Sequence, residues 1–152
     1  ITLDPATAHP ELLLSPDLRS LLLADSPQTL PPDPRRFTES TSALSSQSFS
    51  AGSAYWEVTV GDRAVGMLGV CRESVQRQGP LAVSPSAGFW AVKVGGGGAL
   101  AALSSPPVAV EVRTAPRAIG VLLEHEAGVV SFYNVSDGSH MFTFSDEFGE
   151  PL

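Results

Sequence analysis

Tyr55-Trp56-Glu57-Val58-Thr59-Val60 is the stretch that decides the fold. Trp56, Val58 and Val60 recur at every second position, with Tyr55, Glu57 and Thr59 between them. Only an extended strand, whose side chains alternate between two faces, sends the first set into a core and the second away from it. Aromatic and β-branched residues also suit the pleated surface of a sheet.

The pattern recurs on the C-terminal side. Ile119 to Leu123 and Val129 to Tyr133 flank Glu124-His125-Glu126-Ala127-Gly128, where Gly128 can take a positive φ, so the segment reads as a hairpin. Asp137-Gly138 then turns the chain into a strand at Met141-Phe142-Thr143-Phe144. Thirteen prolines and fourteen glycines interrupt the chain at short intervals. No window long enough for a helix holds a convincing helical period. Pro16 to Leu23 admits a short helix, but its surroundings favour a strand. The chain is therefore expected to be all-β. Ser26 to Arg35, with four prolines, reads as an irregular surface segment, and Thr38 to Ser48 as a solvated Ser/Thr-rich one. They divide the chain into residues 1–48 and 49–152, expected to form one structural unit. Gly95 to Gly98 is expected to be a mobile loop, because four glycines present no side-chain surface and are costly to order.

Composition removes several functions. The chain has 152 residues, 43% of them hydrophobic and 16% charged, which is enough for one sizeable core. A formal charge of −7 without a Lys/Arg cluster argues against nucleic acid and anionic lipid, because few cations are available to displace phosphate counterions. No apolar run approaches the roughly 18 residues that cross a bilayer. The lone Cys71 has no internal disulfide partner and no signal-peptide pattern opens the chain, so a cytoplasmic location is expected.

Several phrases, in order, carry a resemblance. Leu3-Asp4-Pro5, Thr7-Ala8-His9-Pro10, Leu12, Leu14-Ser15 and Asp17 resemble the PRY opening of tripartite-motif (TRIM) and butyrophilin C-terminal domains. Tyr55-Trp56-Glu57-Val58 with Leu68-Gly69-Val70, Gly88-Phe89-Trp90, and Ser131-Phe132-Tyr133-Asn134 resemble successive SPRY signatures. The resemblance implies a bent antiparallel β-sandwich of SPRY type with N-terminal PRY strands. It also implies a domain that holds a target protein or peptide for a TRIM-type E3 ubiquitin ligase. Catalysis would lie in a RING domain elsewhere, and oligomerisation in a coiled coil elsewhere. Two alternatives remain open: a butyrophilin-like receptor domain sensing small phosphorylated ligands, and a scaffold or self-association domain without a groove ligand. Relatives also continue with further core strands past the position of Pro151-Leu152.

The same resemblance implies a partner groove. By position it comprises Ser40, Thr41 and Ser42, Val65 and Met67, Pro80 and Val83, Lys93 and Gly95, with Phe148 closing it. Met67, Pro80, Val83 and Phe148 would supply apolar contact, the hydroxyls hydrogen bonds, and Lys93 a contact to an anion or a C-terminal carboxylate. Gly66 stands where most relatives carry a tryptophan, and Lys93 and Gly95 stand where the antibody-binding relative has aromatics.

Other chemistry is weakly signalled. His9, His125 and His140 lie outside any nucleophile motif, so no catalytic residue is assigned. Glu124-His125-Glu126 reads as a charged hairpin end rather than a metal site, and no cofactor is expected. Cys71, between Val70 and Arg72, reads as an inert strand thiol. Asn134-Val135-Ser136 matches a glycosylation acceptor by chance.

Overall fold

The computed structural model describes residues 1–61, 65–95 and 99–152. These form ten β-strands and one turn of 3-10 helix at Pro85–Ala87, in agreement with the all-β reading. Gly96 to Gly98, most of the expected glycine loop, lie outside the described residues. The chain divides into two compact units, Ile1–Ser48 with Gln76–Ala82, and Phe49–Val75 with Val83–Leu152.

The larger unit holds two four-stranded antiparallel sheets. One is ordered β10 (His140–Ser145), β9 (Val129–Asn134), β8 (Ala118–Glu124), β3 (Ser53–Thr59). The other is ordered β4 (Gly66–Cys71), β5 (Phe89–Val94), β6 (Leu100–Ala102), β7 (Val108–Val110). Alternation decides what each sheet turns inward. Trp90, Val92 and Val94 of β5 meet Ile119, Val121 and Leu123 of β8 and Val130 and Phe132 of β9 in one core, where Trp90, Val92, Ile119, Val121, Leu123, Val130 and Phe132 are wholly buried. Full burial of such side chains stabilises by roughly 1.5–3 kcal/mol each.

Strand β3 follows the expected alternation. Trp56 pairs with Val121 and Val58 with Ile119; Trp56 and Val60 pack against the core and Val58 is half-buried, while Tyr55, Glu57 and Thr59 are exposed. Trp56 is half-buried and stacks on Phe49 at 5.8 Å. On the outer face the Tyr55 ring lies across Gly120, where a Cβ would meet its hydroxyl at 2.5 Å, and the Tyr55 hydroxyl donates to Glu57 at 2.7 Å. The β8–β9 hairpin closes at Gly128, whose φ of 71° and close approach to the Asp146 carbonyl both require glycine. Asn134 ends β9 fully buried, donating from Nδ2 to the Thr114 carbonyl at 2.8 Å and accepting from Ser136 N–H at 3.0 Å.

The smaller unit is built on turns. Strands β1 (Leu12–Leu14) and β2 (Leu21–Leu23) form a two-stranded antiparallel sheet, so the strand expected within Pro16 to Leu23 is confined to its last three residues. The turn between them is held by Ser15, whose Oγ accepts from the N–H groups of Arg19 and Ser20 and donates to Asp17. Asp4 accepts from Ala6 N–H, and Thr7 donates to the Asp4 carbonyl and accepts from Leu44 N–H. Phe37, 1% exposed, is buried within this unit. Asp33, hydrogen-bonded by the Arg35 side chain and backbone, is held down to a pKa of about 2.

Candidate functional site

Strand β4 lies antiparallel to β5 because Gly69 permits close approach: a Cβ there would stand 2.2 Å from the Trp90 carbonyl oxygen and 2.7 Å from the Ala91 Cα. The resulting register sets Met67 opposite Lys93, Lys93 opposite Ala101, and Ala101 opposite Ala109. Lys93 falls between the inward-facing Val92 and Val94 and is exposed, and Met67 is 40% exposed. A methionine and an ammonium thus rise side by side from a floor of alanines. Val65, 70% exposed, and Gly95 continue from the same ends of the two strands. Of the residues expected to form a groove, Val65, Met67, Lys93 and Gly95 are therefore brought together. Val83, half-buried, precedes the 3-10 turn that leads into β5. Ser40, Thr41, Ser42 and Pro80 belong to the smaller unit, where Ser40 and Ser42 exchange a side-chain hydrogen bond of 2.8 Å and Ser42 accepts from His9 N–H through its carbonyl.

Phe148 requires a correction. It is 2% exposed, with its ring edge-on to Trp90 at 4.8 Å and tilted against His125 at 5.6 Å. Its ring belongs to the core rather than to the wall of an exposed groove.

Sequence reading also missed the strap of which Phe148 is part. The Arg72 side chain donates from Nε to the Phe148 carbonyl at 2.9 Å and from Nη2 to the Glu147 carbonyl at 3.2 Å, while its guanidinium lies 5.4 Å from the Trp90 ring centroid. Glu150 accepts from the Ser74 N–H and hydroxyl, which hold its carboxyl below the usual range, and its carbonyl meets His125 Nε2 at 2.9 Å. Trp90 Nε1 donates to Asp146 at 3.2 Å. In sequence Arg72 stands in the phrase that resembles the first SPRY signature and beside Cys71, and neither setting assigns it a partner. The signal available was an arginine just after a β-strand whose sequence gives no nearby acid on the same face, but its acceptors lie 75 and 76 residues away.

Beside the strap is an open acidic depression of about 380 Å³, lined by His125, Glu126, Ala127, Gly128, Asp146, Glu147, Phe148 and Gly149. It shares only Phe148 with the expected groove. Among the described residues no three His, Cys, Asp or Glu side chains are placed to hold a metal ion. The histidines serve local contacts: His9 Nδ1 accepts from Glu11 N–H, His125 lies on the strap, and His140 packs on Tyr133 and reaches Thr143. No helix among the described residues is long and apolar enough to cross a membrane.

Comparison with known proteins adds the family. The SPRY domain pattern matches residues 53–152, and the SPRY-associated domain (PRY) pattern matches residues 1–49. The chain belongs to the SPRY family. This PRY-SPRY chain is 47% identical over its full length to human erythroid membrane-associated protein, covering 32% of that protein. It is 49% identical to mouse E3 ubiquitin-protein ligase TRIM58, covering 31%, and 45% identical to bovine butyrophilin subfamily 1 member A1, covering 29%. The chain therefore spans about a third of the length of these relatives. The crystal structure of the TRIM65 PSpry domain superposes with a TM-score of 0.84 at 26% identity, over 99% of this chain and 80% of that one. The PRY-SPRY sandwich seen here thus has the fold of the TRIM65 PSpry domain.

Proposed function

We propose that this PRY-SPRY chain is the substrate-recognition domain of a TRIM-type E3 ubiquitin ligase, binding a protein or peptide target through the outer face of β4 and β5. The observation that carries the proposal is the cross-strand pair of Met67 and Lys93 on a floor of small residues. An apolar, adaptable thioether beside a lone exposed ammonium suits a peptide offering one apolar side chain and one carboxylate. Identity of 49% to a protein named as a ubiquitin ligase supports the setting. In that setting the ligase chemistry and the oligomerising coiled coil belong to other segments of the parent protein, which works in the cytoplasm.

Affinity capture from lysate with the parent chain, Lys93→Glu and Met67→Asp, read by mass spectrometry, tests the site. Targets held by the parent and lost by both variants, with melting temperatures unchanged within a few degrees, are the expected outcome. Equal capture by all three would remove the site assignment. A second reading follows from the identity to erythroid membrane-associated protein and butyrophilin: the same domain attached to a receptor and occupied by a small phosphorylated ligand. Calorimetric titration with small organic phosphates separates the two, since Lys93-dependent heat would favour the receptor reading.

A further inference from the structure

Strand β2, Leu21-Leu22-Leu23, is exposed along its whole length, at 44%, 65% and 67%. Its partner strand places a fourth exposed leucine beside them, Leu13 at 41%, directly opposite Leu22. The hydrogen bonds Ser15 N–H to Ser20 and Ala24 N–H to Glu11 fix the ladder phase. Ser20, Leu22 and Ala24 therefore turn their backbone groups toward β1, and Leu21 and Leu23 turn theirs outward. The outer edge of β1 is covered, since Gln28 donates to the Leu12 carbonyl at 2.7 Å. Among the described residues β2 has β1 as its only strand neighbour.

We infer that a second copy of this chain covers that edge, pairing β2 with β2 antiparallel about a twofold axis through Leu22. Two features of the strand select a copy of itself rather than any other strand. The first is phase: an axis at Leu22 sets Leu21 opposite the partner's Leu23, and these are the residues whose N–H and C=O groups face outward, so four backbone hydrogen bonds form without any shift. The second is charge. The same register sets Arg19 of each copy opposite Asp25 of the other, and both residues are exposed and outside any ion pair among the described residues. The strand is self-complementary in its ends as well as its centre. The result is a four-stranded sheet with Leu13, Leu22 and their counterparts in one row on one face. Closure by a twofold axis also explains how a bare apolar edge avoids open-ended pairing. It would set two recognition domains side by side, so that a target presenting two sites is held by both.

Three-residue strands bury little area, so the dimer is a weak one that the rest of a parent chain could reinforce. Sedimentation equilibrium of the 152-residue chain from about 10 µM to about 1 mM covers the range expected of so small an interface. Concentration-dependent dimers are expected, and Leu22→Glu, which sets two carboxylates face to face at the axis, abolishes them. Arg19→Asp and Asp25→Arg each weaken association about tenfold, because two attractive pairs become repulsive. The combined Arg19→Asp/Asp25→Arg chain dimerises again with itself but does not mix with the parent. Leu22 is exposed, so the variants keep the parent's melting temperature. A parent that stays monomeric throughout, a Leu22→Glu chain that associates as tightly, or a combined variant that fails to recover would each overturn the inference.

Discussion

Truncating Phe148 to alanine separates its place in the core from the groove position expected from sequence. The ring is 2% exposed and edge-on to the wholly buried Trp90 at 4.8 Å. Phe→Ala in such a site costs about 3–5 kcal/mol, of which the aromatic pair accounts for about 0.5–1.5. The Arg72 hydrogen bond is to the Phe148 backbone carbonyl, so it survives the substitution and does not add to the loss. For a chain of this size each kcal/mol lowers the melting temperature by about 2–4 °C, which predicts a fall of roughly 6–20 °C. Urea unfolding should show the same loss as a shifted midpoint with little change in slope. Near-ultraviolet circular dichroism should also change, because Trp90 loses its ring neighbour. Met67→Asp, at an exposed position, is the control and should melt with the parent. A Phe148→Ala protein that melts within about 2 °C of the parent would mean a loss of under about 1 kcal/mol, and the core assignment would be wrong.

Gly69→Ala should be among the most damaging single-methyl changes in the chain, since its Cβ would stand 2.2 Å from the Trp90 carbonyl oxygen and force β4 away from β5. A cost on the order of 3 kcal/mol or more is expected from overpacking and lost ladder hydrogen bonds, measured by urea unfolding, and parent-like stability would refute the close approach. The strap should respond to acid. Because Ser74 lowers the folded-state pKa of Glu150, its contribution is fully present above the ordinary value of 4.5 and fades as pH falls through the lower folded value. The melting-temperature gap between the parent and Glu150→Gln should therefore be small but positive at neutral pH and close below pH 4.5, and a gap independent of pH would count against the Ser74–Glu150 contact.

Sequence alone determined what depends on neighbours two to ten residues away. The alternation of Trp56, Val58 and Val60 specifies a strand and its inward face, because side chains in an extended chain alternate whatever the surroundings. The Glu124–Gly128 hairpin and the Asp137-Gly138 turn were legible for the same local reason: glycine alone takes those backbone angles without strain. Order of motifs then implied the family and its sandwich. What sequence left undecided involves partners far apart in the chain. Arg72 could be assigned its acceptors only after β4, β5 and the segment after β10 had converged, since nothing near it in sequence marks Glu147 and Phe148 as its partners. Resemblance assigned Phe148 to a groove, and only its packing against Trp90 and His125 shows it to be core. Leu21 to Leu23 depended on the same kind of information: a strand at the edge of a two-stranded sheet has too few neighbours to cover three leucines, and tertiary structure alone reveals an apolar edge left open.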